Sequence, residues 1–312
     1  MSHRPATTTT RSNHGSHCGR IRVLAMHAFT QLVRMKVFYF LVVFAVIALG
    51  SNCFDLPQHA GSEAAGVNVL RAIKSWSFGT MTLFSVVLAI VATALLLPKD
   101  VEDRTLYTIL AKPVPRLDYL AGKLLGVLLL VFVSLVLMDL LMTAVLQVRT
   151  SMILGQQLEL ARACGWSVAD LASLRAEILT QGPNWSLQGA VLAVFLRASI
   201  MASLALLIST FSSSTLFTSI ISFLIYFAGH FQADARGAFL APGADGSGLV
   251  ARLAGLLVAL VLPDFQLFNV IDAVLEGQAM PPVILGQLIA LGLFYAVFFV
   301  VASWFIFAEK EF

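Results

Sequence analysis

The sequence predicts an all-α, polytopic membrane protein with six transmembrane helices. An N-terminal interfacial helix precedes them, a short helix lies in a charged loop after the second, and an outer re-entrant or interfacial helix pair stands before the last. Three observations predict this. Hydrophobic residues make up 59% of the 312-residue chain and charged residues 12%, about half the charge of a soluble domain. Mean hydropathy is +0.88. The apolar residues fall into runs near the roughly 20 residues that one crossing needs, and lysines and arginines are denser on one side of those runs than on the other.

Residues 1–19 are polar, with Thr7 to Thr10 in a row, and read as a disordered tail without the apolar core of a cleavable signal peptide. His14, His17 and Cys18 lie close together there and could bind a metal, but a solvated tail holds nothing in place. Residues 20–35 are amphipathic. Ile21, Leu24, Ala25, Ala28, Phe29, Leu32 and Met35 share one helical sector, opposite Arg20, His27, Gln31 and Arg34. Such a basic helix lies at a lipid surface, or else simply extends the first span.

The first span is expected at Val37–Gly50, borrowing residues from that lead-in to reach crossing length. Residues 51–75 read as an outer loop, the second span as Phe78–Leu97 and the third as Leu124–Gln147. The polar stretch 148–188 reads as an outer helical insertion. In it Ser167, with Asp170 three residues on, has the spacing of a capping box opening a helix to about Leu179. Spans four and five, Gly189–Ser209 and Leu216–Phe231, are joined by so short a link that they must be antiparallel neighbours. Residues 249–277 follow a Gly- and Pro-rich loop. Leu249–Leu262 is about 21 Å long as a helix, too short to cross, so it is either re-entrant or interfacial. Asp264 can cap a second helix, Phe265–Glu276, that Gly277 ends. The sixth span is Val283–Phe307.

With the N-terminus inside, Arg4, Arg11, Arg20, Arg22, Arg34, Lys36, Lys99, Arg104, Lys112, Arg116, Lys123 and Lys310 are cytoplasmic. The longer outer segments hold Arg71, Lys74, Arg149, Arg162, Arg175, Arg236 and Arg252. Both termini and the loop 98–122 are then cytoplasmic. That loop is a charged island between apolar runs. Asp100, Glu102 and Asp103 crowd the start of a helix expected over Val101–Ala111, where negative charge suits the helix dipole. Pro113 and Pro115 stop it, and Asp118 can cap the next helix. On a helical wheel Val101, Leu106, Ile109 and Leu110 share an apolar sector into which Glu102 intrudes. Either the loop receives a partner's basic residue, or it is a solvated connection whose charges only set topology.

At these residues the chain resembles a family. Glu102-Asp103-Arg104-Thr105-Leu106, then Leu110, Pro113-Val114-Pro115-Arg116 and Gly122-Lys123 are similar to the cytoplasmic loop of type-2 ABC transporter permeases. Many members have Gly where this chain has Arg104, and Ser where it has Pro115. The resemblance implies a coupling helix that docks on a separate cytoplasmic ABC ATPase, through Glu102, Asp103, Arg104, Thr105, Leu106 and Arg116. It also implies a dimer with a second permease copy or homologue, a broken helix pair before the last span, and a place in the inner membrane. ATP and Mg would sit on the partner, and this chain would bind no cofactor or metal of its own. The alternative is a non-transporting anchor that recruits a soluble partner through loop 98–122.

Two ionisable residues fall within spans, Asp139 in the third and Arg197 in the fourth, each roughly 12 Å from the outer end. Equal depth on consecutive helices suggests an intramembrane ion pair, because either alone would cost about 3 kcal/mol. Otherwise Arg197 snorkels outward and Asp139 is protonated or faces water. Cys53 and Cys164 are both expected outside and could pair. The chain has no P-loop, no H-E-x-x-H and no G-x-S-x-G, so it is not expected to hydrolyse ATP itself, and an intramembrane enzyme is not favoured. Its pI near 8.9 with a net charge of +3 comes without a basic stripe, so nucleic acid is not an expected partner.

Overall fold

In a computed structural model, residues 17–51, 65–102, 115–212, 214–232, 262–278 and 280–309 are described. They form nine α-helices and a short 3-10 turn. In chain order these are α1 (His17–Val33), α2 (Lys36–Gly50), α3 (Ala65–Glu102), α4 (Arg116–Ala163), α5 (Val168–Thr180), α6 (Trp185–Phe211) and α7 (Thr215–His230). The turn (Gln266–Phe268), α8 (Ile271–Leu275) and α9 (Pro282–Glu309) follow.

Among the described residues four helices are long and apolar enough to cross a membrane, not six: α3, α4, α6 and α9. The expected first and fifth spans are helices of 15 and 16 residues, about 22 and 24 Å long at the helical rise, against a core of about 30 Å. The first cannot borrow residues from its lead-in, because Met35 is extended (φ −75°, ψ 133°) and breaks the helix between α1 and α2. The fifth is bounded by Ser212, extended after α6, and by its cap Ser214, whose hydroxyl accepts from the Phe217 amide at 3.4 Å.

The long helices outrun their apolar runs. α3 opens at Ala65, inside the expected outer loop, and continues through Pro98 to Glu102. α4 has 48 residues, about 72 Å, and its last turns are the start of the expected 148–188 insertion. Gly165, at φ +77°, lets the chain turn back. α5 then opens with the reciprocal capping box that the spacing of Ser167 and Asp170 predicts. Lys74, placed in a loop by sequence, is fully buried on α3, where its Nζ donates to Gln181 Oε1 at 2.6 Å.

α6 is the centre of the bundle, packed against α3, α4, α7 and α9. Ala190, Ala193, Ala198, Ala202 and Ala205 are buried around its circumference, as expected for a helix apolar on all sides. Small residues allow the close approach: a Cβ at Gly292 of α9 would lie 3.0 Å from Leu196 Cδ2. The expected helix Phe265–Glu276 is instead a 3-10 turn and a five-residue helix. Asp264 accepts from the Gln266 amide at 3.0 Å, and Gly277, at φ +80°, ends the segment. Residues 249–261 and Cys53 lie outside the described residues.

Candidate functional site

The chain emerges from residues 103–114 at Pro115. Its ring fixes φ, and the residue is extended (φ −57°, ψ 136°) as the N-cap of α4. Asp118 therefore does not cap the helix as expected. It lies in the first turn, only 2% exposed, and reaches sideways to α1. His17 Nδ1 is 3.0 Å from its Oδ2 and 3.2 Å from its Oδ1, and Arg20 Nε lies 3.4 Å from Oδ2. The carboxylate thus meets a cation and its own helix's N-terminal dipole together.

One turn on, α4 has no side chain to keep α1 away. A Cβ at Gly122 would lie 2.6 Å from Leu24 Cβ, and one at Gly126 would lie 2.6 Å from Ala28 Cβ and 2.8 Å from the Ala25 carbonyl oxygen. Glycines four apart face one side of a helix and let a second backbone approach. Ala28 and Leu32, on the predicted apolar sector of α1, are buried in this contact. Lys123, between the glycines, is 2% exposed. Its Nζ is 3.4 Å from Gln31 Oε1 and 5.8 Å from the centre of the Tyr119 ring.

The other side of the same turn is tied to the end of α9. Arg116 Nη1 donates to the carbonyl oxygens of Phe307 at 2.8 Å and Ala308 at 2.5 Å. Last-turn carbonyls have no partner within their own helix, and a guanidinium satisfies them while opposing the dipole. The Tyr119 and Phe307 rings stack at 6.1 Å. α1, α4 and α9 therefore converge within three turns of residues 103–114.

At the other end of the bundle, Arg197 is 5% exposed and its Nη2 donates to the Phe265 carbonyl at 3.1 Å. The Phe265 ring packs on Tyr226 and His230 of α7. The Phe265 amide donates to the Gly229 carbonyl at 3.3 Å, and a Cβ at Gly229 would be 2.6 Å from the Phe265 ring. Gln266 Nε2 donates to the His230 carbonyl at 2.7 Å.

Residues 22–310 match the family described as ABC-2 family transporter protein. The chain belongs to that family. No curated protein matches the sequence. It is accordingly a multi-pass membrane permease subunit of an ABC-type transporter family, whose permease subunits are not themselves catalytic. Membership implies a membrane setting and a cytoplasmic ATPase partner.

In this ABC-2 permease Glu102 is the last residue of α3, while Asp103, Arg104, Thr105 and Leu106 lie outside the described residues. Arg116 is in the junction, its guanidinium engaged with α9. Asp139 and Arg197 are not brought together. Asp139 Oδ2 accepts from Gln188 Nε2 at 3.0 Å, and Arg197 is turned to the Phe265 carbonyl. Equal depth fixes a level on each helix and not the direction a side chain takes. Among the described residues no cluster of potential metal ligands occurs, and His17 is used by Asp118. Sequence reasoning missed the roles of His17, Arg20, Asp118, Gly122 and Gly126. The available signal was Gly122-x-x-x-Gly126 opening an apolar run.

Proposed function

We propose that this permease forms half of a translocation pathway working in export, beside a second copy or a homologue, with both termini in the cytoplasm of an inner membrane. A separate ATPase holding ATP and Mg drives it through residues 98–122, with Glu102, Asp103, Arg104, Thr105, Leu106 and Arg116 at or next to the contact. The observation that supports this reading is the junction at the C-terminal end of that segment, at Arg116 and Asp118. A push delivered there reaches Arg116 and Asp118 first, and these lead to α9 and α1. A loop that only set topology would have no need of ties to two further helices. Two-state rocking of packed helices about such ties is the usual form of a driven transition.

The test is a pair of measurements on the chain in its own membrane. A cysteine at Thr105 should react with an impermeant reagent from the cytoplasmic face only, and Glu102→Arg should abolish co-purification of the ATPase. Labelling from the opposite face overturns the reading, as does unchanged ATPase binding.

A further inference from the structure

A groove of about 480 Å³ opens between α4 and the start of α6, lined by Thr143, Pro183, Asn184, Trp185, Leu187 and Gln188. Its volume is within the range of small-ligand sites. Trp185 is 89% exposed at the first residue of α6, the place where an aromatic ring marks the lipid–water boundary. Gln188 stands three residues further in, roughly 5 Å deeper along the helix. It donates to Asp139 Oδ2, so its amide lies between the groove and the carboxylate.

Asp139 is the one charged residue of α4 between Leu124 and Val148. Its other oxygen, Oδ1, is sealed from solvent and has no hydrogen-bond partner. A carboxylate accepts several hydrogen bonds, and one neutral amide leaves it under-satisfied in apolar surroundings. Arg197, the cation expected opposite it, is committed elsewhere. On the same face of α4, one and two turns deeper than Asp139, Val136 and Phe132 are 38% and 52% exposed, an apolar wall leading from the carboxylate into the bilayer.

We infer that this groove binds the primary ammonium head of an amphiphile entering from the bilayer. The ammonium displaces Gln188 and donates to both Asp139 oxygens, the Trp185 ring faces the cation at the mouth, and the alkyl chain lies along Val136 and Phe132. The charge-assisted bond replaces a neutral one, and an indole face attracts a cation within about 6 Å. An alcohol lacks the charge, and a carboxylate head is repelled. The inference concerns binding alone and stands apart from the transport reading.

The test uses the full chain in nanodiscs of zwitterionic lipid, titrated with labelled dodecylammonium, dodecanol and dodecanoate, with empty nanodiscs subtracted. The wild type is expected to retain dodecylammonium at least tenfold more tightly than the other two probes, and Asp139→Asn to erase that preference. Gln188→Ala, which uncovers the carboxylate, is expected to tighten ammonium binding several-fold. Thr143→Leu, which fills the groove and leaves the carboxylate, is expected to weaken it to a similar degree. These two variants decide the matter even if Asp139→Asn does not fold. Equal retention of the three probes by the wild type overturns the inference. So does an ammonium preference that survives Asp139→Asn, or one that Gln188→Ala and Thr143→Leu leave unchanged.

Discussion

Arg116 and Phe307 are 191 positions apart in sequence, yet the guanidinium of the first donates to the backbone carbonyl of the second at 2.8 Å. The bond joins the first residue of α4 to the last turn of α9. It places a cation where the orphan carbonyls and the negative end of the α9 dipole gather. Arg116, near the end of the proposed coupling segment, is thereby a crosspiece between two membrane helices, and a displacement of α4 at this end is shared with α9.

Removing the crosspiece should loosen that sharing. Arg116→Ala is expected to cost about 1–2 kcal/mol, the range of a partly exposed hydrogen bond to a charged group. Arg116→Lys should recover part of that, since an ammonium reaches one carbonyl but lacks the planar fork. The measurement is thermal unfolding in one detergent, paired with disulfide cross-linking between cysteines placed at Leu117 and Ala308, which leave both stacked rings in place. An unchanged cross-linking rate in Arg116→Ala would show that the stacked rings of Tyr119 and Phe307 hold the ends together without it.

Asp118 makes the matching tie to α1. It is almost wholly buried beside Arg20, whose side chain is 29% exposed, while His17 is 73% exposed and contributes less. Asp118→Ala leaves Arg20 half-buried without its carboxylate, and about 2 kcal/mol of stability should go with it, below the cost for a fully buried pair. Proteolysis at Arg22 should quicken as α1 detaches. Exchanging the charges, Asp118→Arg with Arg20→Asp, should restore much of the protection.

Much of this architecture was legible in the sequence, and its failures share a cause. The apolar runs set α6 and α9 to within a few residues, and the capping box at Ser167 set the start of α5. The far ends of α3 and α4 were not legible, because the edge of the hydrocarbon ends an apolar run and does not end a helix. Residues 148–163 are polar but contain no Pro, so α4 simply continues. The break at Met35 carries no Gly or Pro to announce it and leaves the first expected span short, while the fifth, at 16 residues, was already short of a crossing as read. Arg197 was legible as a buried cation needing a partner. Its partner is the backbone of Phe265, and hydropathy does not register a carbonyl.

That bond holds the segment before α9 against α6 and α7. Arg197→Leu leaves the Phe265 carbonyl without its donor in a buried setting, at about 1–3 kcal/mol. It should also free the turn at Gln266–Phe268. A cysteine at Leu267, exposed in the native chain, should label at the same rate with or without Arg197, whereas one at Phe268, buried at 1%, should label much faster in Arg197→Leu. Equal rates at Phe268 would mean that the bonds from Gly229 and His230 hold the turn unaided.

Glycine substitution offers the sharpest test of the junction, because it has opposite signs at two sites. In an open stretch of helix, Gly→Ala stabilises by about 0.4–1 kcal/mol by narrowing the unfolded ensemble. Gly79 of α3 is such a site, with nothing within 4 Å of an added Cβ. At Gly126 the added Cβ meets the Ala25 carbonyl oxygen at 2.8 Å and Ala28 Cβ at 2.6 Å. The first is backbone and the second is rooted to it, so α1 as a whole must move outward and release Ala28 and Leu32 from their packing. Overpacking of this kind costs about 1–3 kcal/mol. Gly79→Ala should therefore raise the unfolding temperature and Gly126→Ala lower it, with faster cleavage of α1 in the second alone. Two increases would mean that α1 rides on α4 without close contact, and the junction would then have no rigid seat for Asp118 or Lys123.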